Sequence, residues 1–232
     1  MKKIAIVTLS DFNNYGNRLQ NYALERIITS QGYDVVSLVD FRPNLLKTSV
    51  KTIIKKDGIK FTDRMKKIRR LKNFLDFDKK YVNTFPVNAG EFSSVSDDEY
   101  HCFIVGSDQV WNPDWAKYTY DRMFLRFCSP TKRISYAASF GVDKIPEKWV
   151  DKYKAGLIDF KALSVREDKA VDIVKNTIGI TCHKVLDPTM LLERAEWDKI
   201  KKANKNKWQE LYFNLFFGRK NARSRKSNIS IC

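Results

Sequence analysis

The sequence predicts an α/β domain built on an open, mostly parallel sheet with helices on both faces. Two observations lead to this fold class. Short apolar runs alternate with segments of helical periodicity over about the first 200 of the 232 residues. The first forty residues also read as strand, loop, helix and strand, and such a unit normally forms a right-handed crossover between two parallel strands.

The predicted elements follow one another in a regular order. Lys3 to Leu9 is the first strand, and a helical pattern runs from about Gly16 to Gln31, where Gly32 ends the helix. Asp34 to Asp40 is the second strand. Four further strands are predicted at 102–105, 133–138, 163–165 and 184–186, with three further helices at about 146–160, 168–177 and 193–203.

The net charge of +16 comes from two segments. Residues 44–72 hold eleven Lys and Arg against two Asp, and residues 201–232 hold nine against one Glu, so the rest of the chain is close to neutral. Apolar residues at three- and four-residue steps predict a basic helical insertion at 44–80. Its basic face is either the solvated side of docked helices or a contact surface for an anionic polymer or a membrane. No motif for specific nucleic-acid recognition is found in the sequence.

Composition and spacing also argue against several classes of protein. No run approaches the roughly 20 apolar residues of a membrane span, and the first apolar run stops at Ser10, short of a secretion signal. Cys102, Cys128, Cys182 and Cys232 lack the spacing of a disulfide scaffold or a zinc site. We expect a cytoplasmic protein without metal or cofactor. Peripheral contact of the basic helices with the inner face of the membrane is an additional option. We expect one domain at 1–200 and a basic tail at 201–232.

Functional side chains are expected in the loops after the strands, because open parallel sheets bind ligands at the carboxyl ends of their strands. The loop after the first strand offers amides and a glycine at the start of a helix, where an anion can bind. A capped turn is the other interpretation. The candidate binding residues of this loop are Asn13, Asn14, Tyr15 and Gly16.

The loop after the strand at 102–105 carries a hydroxyl, a carboxylate and an amide in consecutive positions, at Ser107, Asp108 and Gln109. Gly106 permits close approach of the backbone, and Trp111 offers a flat face for stacking. This set suits a polyhydroxylated ligand. A structural turn capped by Asp108 is the alternative.

Two later strand ends complete the predicted site. Small residues after the strand at 133–138 bring the backbone close to whatever occupies the cleft. The candidates there are Ser139, Phe140 and Gly141. Arg166 follows the next strand and either holds a phosphate or carboxylate or forms a structural ion pair with Glu167 or Asp187. We expect all these loops to face one concavity.

Five segments occur in a distinctive order and spacing: NNYGNRLQNYAL at 13–24, FIVGSDQVWNP at 103–113, ISYAASFG at 134–141, LSVRED at 163–168 and VLDPTMLL at 185–192. Together they resemble the polysaccharide pyruvyl transferase family over roughly residues 1–200. The resemblance implies one half of a GT-B-type fold, in which two Rossmann-like halves face a cleft. It also implies transfer of a pyruvyl group from phosphoenolpyruvate to two hydroxyls of a saccharide or lipid-linked saccharide, which forms a ketal in surface polysaccharide biosynthesis.

The same resemblance suggests roles for the loop residues. Asp108 becomes the candidate catalytic acid or base, or an anchor for a sugar hydroxyl. Sugar contacts are expected from Asn13, Asn14, Gln109 and Trp111, and an anion is expected near the backbone of Gly16 or Gly141.

The end of the chain departs from the family pattern. A full member is expected to continue with a second half that carries donor-binding groups, whereas residues 201–232 form a brief apolar patch and a basic run. We therefore expect an amino-terminal half, left by truncation or a frameshift, that holds an acceptor but does not catalyse alone. The alternative function is a non-catalytic Rossmann-like module that binds a sugar or a nucleotide.

Overall fold

The computed structural model describes residues 1–12, 14–39, 45–55, 57–88 and 91–201. Residues 1–194 form one compact unit, and a second unit begins at Ala195. The expectations for Asn13 and for the tail beyond Lys201 therefore lie outside the described residues.

The first unit is an α/β fold on a parallel sheet, as the sequence predicts. Among the described residues, five strands pair in the order β3-β2-β1-β4-β5, and every pairing is parallel. These strands are β1 (Lys3–Val7), β2 (Asp34–Val39), β3 (Thr84–Pro86), β4 (Cys102–Val105) and β5 (Arg133–Ser135). A parallel pair, β6 (Ser164–Val165) and β7 (His183–Lys184), lies beside β5 through bridges from Ile134 to Ala162 and from Ala138 to Val165.

Helices cover both faces of this sheet. All four residues from Ile4 to Val7 are fully buried, which requires cover on both sides because neighbouring side chains of a strand point to opposite faces. The helices of the first unit are α1 (Tyr15–Ser30), α2 (Leu45–Ile54), α3 (Phe61–Tyr81), α4 (Pro113–Met123), α5 (Glu147–Leu157) and α6 (Asp168–Asp172), which continues as a π-helix over Ile173–Ile178. Helix α7 (Arg194–Ile200) follows.

A large apolar cluster occupies one face of the sheet. It joins Val7 and Val105 of the central strands to Phe124 of α4, Tyr153 of α5 and Val174 of the π-helix. Helix α1 packs on β2, and the Ser37 side chain bonds to α1, so α1 lies on the other face. Among the described helices, none is long and apolar enough to cross a membrane.

Two elements were missed by the sequence interpretation. Strand β3 has only three residues, carries Pro86 and pairs with β2 at the edge of the sheet, so it has no alternating pattern to detect. Helix α4 was not predicted, although Asn112 caps it and Pro113 begins it. The strand expected at 133–138 ends at Ser135, and the chain then turns through Ala137 at a φ of 51°.

Candidate functional site

A cleft of about 470 Å³ opens at the carboxyl ends of β1 and β4. From β1 the chain moves outward to β2 and β3, then returns to the other side of β1 and continues through β4 and β5. The crevice where the strand order reverses is the usual ligand site of open parallel sheets. The cleft is lined by Leu9, Ser10, Asp11, Phe12, Asn14, Asn17, Asp108, Gln109, Trp115, Thr119 and Arg122.

Arg18 holds the first wall of the cleft, the loop after β1. Its guanidinium donates to the carbonyls of Asp11 at 2.6 Å and Ser10 at 3.1 Å, and it pairs with Asp78 of α3 at 2.9 Å. Burial lowers the pKa of Arg18, and Asp78 and then Asp11 oppose that shift. A buried charge with hydrogen bonds to this many groups fixes the loop firmly.

Ser107 holds in place the second wall of the cleft, which is the loop after β4. Its backbone N–H donates to Gln20 Oε1 at 2.8 Å, and its carbonyl accepts from Thr8 Oγ1 at 3.2 Å. Gln20 in turn donates to Thr8 Oγ1 at 2.9 Å. Ser107 is fully buried, so it supports the loop through polar contacts rather than facing a ligand.

Asp108 and Gln109 form the part of this loop that reaches the cleft. Asp108 has a φ of 80°, its carbonyl accepts from Ser139 N at 2.9 Å, and its Oδ1 accepts from Gln109 N at 2.8 Å. Gly141, at a φ of 64°, lies beside them: a Cβ there would stand 2.5 Å from Gln109 Cδ. Asp108 and Gln109 therefore both line the cleft from a turn that backbone hydrogen bonds and the close approach of Gly141 hold in place.

Helix α4 supplies a third wall that the sequence interpretation missed. Trp115, Thr119 and Arg122 line the cleft at steps of four and three residues, which places them on one face of the helix. Trp115 Nε1 donates to the Gln109 carbonyl at 3.2 Å. Burial lowers the pKa of Arg122 to about 10, so a cationic guanidinium stands in a partly dehydrated position beside the acidic loops.

The structure corrects two of the predicted contacts. Trp111 does not offer a stacking face: it is fully buried, and its indole donates to the Met123 carbonyl at 2.9 Å. Phe140 is also fully buried, with its ring 5.3 Å from that of Trp111. Both side chains pack in the core beneath the loops because large aromatic rings bury more apolar area there. Trp115 is the tryptophan that lines the cleft.

Of the two roles expected for Arg166, the structure shows the structural ion pair. Its Nη1 lies 2.9 Å from Asp187 Oδ2, and its Nε lies 3.5 Å from Glu167 Oε2. Burial alone would lower the pKa of Arg166, but Asp187, Glu167 and then Asp108 raise it above its usual value. Asp187 Oδ2 also lies 2.9 Å from Ser107 Oγ, which links this strand end to the loop after β4.

The remaining predicted residues have local roles. Asn14 caps α1 by accepting from Gly16 N at 2.8 Å, and it lines the cleft. Tyr15 stacks on Phe74 of α3 at 4.6 Å, and Ser139 Oγ accepts from Gly141 N at 3.1 Å.

Gly106 has a φ of 116°, and a Cβ there would stand 2.2 Å from the Tyr136 carbonyl oxygen, so the residue allows two loops to touch. Asn13 lies outside the described residues.

The cleft combines three kinds of group. Carboxylates and amides that can accept from and donate to hydroxyls come from Asp11, Asn14, Asn17, Asp108 and Gln109. Trp115 contributes an apolar face, and Arg122 contributes a cation of the kind that binds phosphate or carboxylate. Such a set suits a polar, hydroxyl-rich ligand with an anionic neighbour.

A comparison of the sequence with models of known protein families shows the family to which the chain belongs. The polysaccharide pyruvyl transferase model matches residues 14–229. The chain belongs to the polysaccharide pyruvyl transferase family. No curated protein and no solved structure gives a significant match to it.

The motifs that suggested the pyruvyl transferase family surround the cleft or support it. The segment at 13–24 begins α1, and the segment at 103–113 holds β4, Asp108 and Gln109. The segments at 134–141 and 185–192 contribute Ser139 and Asp187, which bond to the loop after β4, and the segment at 163–168 contributes Arg166, which pairs with Asp187. The family match extends to residue 229, past the described part of the chain.

Proposed function

We propose that the cleft binds a saccharide or lipid-linked saccharide acceptor, and that the protein acts in pyruvyl transfer from phosphoenolpyruvate to two hydroxyls of that acceptor. Family membership supports the reaction class. The observation that carries the proposal is the position of Asp108, a half-buried carboxylate on a hydrogen-bonded turn, in a cleft that Gln109 and Trp115 also line. A cytoplasmic location stays a prediction.

The reaction needs an acid, a base and cations. Protonation of the methylene carbon of phosphoenolpyruvate makes it a methyl group and leaves an oxocarbenium ion at the adjacent carbon. One sugar hydroxyl attacks that carbon and gives up its proton, the bond to the phosphate oxygen breaks, and the second hydroxyl attacks in the same way. Of the two hydroxyl protons, one balances the proton added to carbon and the other leaves with phosphate. A carboxylate is a suitable acceptor for a hydroxyl proton in each attack.

The groups of the cleft fit this scheme in part. In the proposed scheme Asp108 accepts a hydroxyl proton, Trp115 packs against the sugar ring, and Arg122 stabilises a carboxylate or phosphate; all three line the cleft. The family resemblance implies further donor-binding groups in a second half of the fold. The inactivity of this chain by itself therefore stays a prediction. For this reason the test below measures acceptor binding as well as turnover.

The test uses Asp108→Asn and a matched control, Asp143→Asn, which alters an exposed carboxyl outside the cleft. Saccharide-dependent release of phosphate from phosphoenolpyruvate is measured together with calorimetric binding of sugar nucleotides and free oligosaccharides. We expect Asp108→Asn to lower turnover by at least about a hundredfold, or to weaken saccharide binding if the chain does not turn over. The control is expected to match the wild type.

Two results contradict the proposal. The first is the absence of both turnover and saccharide binding, which would show that the cleft does not bind the assigned ligand. Binding of the nucleotide part alone, with no response to Asp108→Asn, would favour the non-catalytic module, for which the switch-point position of the cleft is the supporting observation.

A further inference from the structure

Helix α2 presents its apolar side outward. Leu46, Val50 and Ile54 follow at four-residue steps and form one row, and they are exposed by 78%, 53% and 69%. The side of the helix that is half-buried consists largely of small polar residues, Thr48 and Thr52 among them. A helix docked only for stability would have the opposite orientation, because burial of apolar area is what stabilises docking.

This orientation is fixed by a buried arginine. Arg64 of α3 donates to the carbonyls of Thr52 at 2.5 Å and Ile59 at 3.0 Å, and it pairs with Asp57 at 2.6 Å. These bonds join the last turn of α2, the connecting loop and the first turns of α3. The apolar row is therefore held outward rather than free to rotate inward.

Two apolar side chains at the start of α3 are exposed as well. Phe61 is exposed by 63% and Met65 by 43%. We call these two residues, together with Leu46, Val50, Ile53 and Ile54, the outer surface of the basic insertion. Exposed apolar side chains in a group of this kind mark an interaction site.

Positive charge lies beside the apolar row of α2. Lys47 and Lys51 are exposed on α2 and form a row beside Leu46 and Val50. Residues 44–72 hold eleven Lys and Arg against two Asp. Both Asp side chains form ion pairs with basic residues of the same stretch, Asp57 with Lys55 and Arg64 and Asp63 with Lys66. The net charge of the stretch is therefore positive.

We propose that the outer surface docks on an anionic lipid bilayer. The apolar row would enter the boundary between headgroups and acyl chains, and the lysines would contact the lipid phosphates. Nucleic acid would satisfy the lysines but offers no apolar partner for Leu46, Val50 and Ile54. The inference stands independently of the proposed reaction, and it would place the cleft of the same domain near lipid-linked saccharides.

The experiment is co-sedimentation of the full chain with vesicles of phosphatidylcholine, alone or mixed in equal amounts with phosphatidylglycerol. We expect binding to the anionic vesicles only, weakening as salt is added. Ile54→Asp is expected to lower the partition coefficient by about tenfold or more, and Lys51→Gln by about fivefold. The matched controls are Lys154→Gln on α5 and Ile158→Asp directly after this helix, both at exposed positions, and they should bind like the wild type.

Several outcomes would overturn the proposal. Equal binding to neutral vesicles, no binding, or loss of binding in the controls would each remove the anionic bilayer as the partner. Binding to duplex DNA that responds to Lys51→Gln but not to Ile54→Asp would assign the surface to nucleic acid. Self-association in sedimentation that Ile54→Asp abolishes, without vesicle binding, would assign it to a second copy of the chain. Because the altered side chains are exposed, thermal unfolding should be unchanged in every variant.

Discussion

Two tryptophans four residues apart have opposite environments. Trp111 is fully buried among the rings of Phe124 and Phe140, and Tyr153 Oη donates to its carbonyl at 2.7 Å. Trp115 is half-buried and lines the cleft. The residue types are the same, so only the packing of α4 against the loop distinguishes the core residue from the one that lines the cleft.

Alanine at each tryptophan should separate these roles. Trp111→Ala is expected to lower the free energy of unfolding by about 4 kcal/mol, because it leaves a cavity in the aromatic cluster. Trp115→Ala should lower it by about 1 kcal/mol, the value of one hydrogen bond, while weakening saccharide binding about tenfold. Urea unfolding and calorimetry measure the two effects. Equal losses of stability would contradict the assignment.

At the scale of elements, Glu25 ties α1 to β2 and to the connection between α3 and β3. Its carboxylate accepts from Asn83 N at 2.9 Å and from Ser37 Oγ at 3.3 Å, in a buried position. Burial raises the pKa of Glu25 from 4.5 to about 7, and the bonds from Asn83 and Ser37 and the charge of Arg26 only partly oppose it. The folded protein therefore holds this proton more tightly than the unfolded chain.

The sign of the pH effect follows from that difference. Between pH 4.5 and about 7 the unfolded chain loses the Glu25 proton while the folded protein keeps it, so this group makes stability fall as the pH rises. Glu25→Gln should remove this fall, so its stability relative to the wild type should rise by about 3 kcal/mol across the window. Urea unfolding at several pH values measures it, with exposed Glu193→Gln as the control. Parallel pH curves for Glu25→Gln and the wild type would contradict the expectation.

Elements differ in how far their sequence predicts them. The long apolar strands and α1 are readable because their periodicity extends over several residues. Helix α4 has its start signals, Asn112 and Pro113, but its pattern divides between a face on the core and the face that carries Trp115 and Arg122. Strand β3 depends on pairing with β2, which sequence patterns do not show.

At the scale of the whole domain, Asp187 joins the five-stranded sheet to the smaller pair of strands. It accepts from Arg166 at the end of β6 and lies 2.9 Å from Ser107 Oγ at the end of β4. Burial raises its pKa, but the bonds from Thr189, Arg166 and Ser107 outweigh this and hold the pKa below its usual value. Its ionised form thus stabilises the arrangement of strand ends beneath the cleft.

The stabilisation by Asp187 should depend on pH in the opposite direction from that of Glu25. It is present above pH 3.8, the ordinary pKa, and is lost as the pH falls through the lower pKa of the folded protein. Asp187→Asn should lower the free energy of unfolding by about 2 kcal/mol near neutral pH, with the difference shrinking in acid. Exposed Asp172→Asn is the control. A difference that stays constant into acid would contradict this role.

The sequence by itself determined the fold class, the order of its long elements and the family, because periodicity and ordered motifs are local properties of the chain. It also located Asp108 and Gln109 at a strand end. Only the tertiary structure decided that α4 forms a wall of the cleft, that Trp111 and Phe140 lie in the core, and that α2 presents its apolar row outward. Those outcomes depend on which face of each element meets a neighbour distant in sequence, and packing, rather than local pattern, sets that choice.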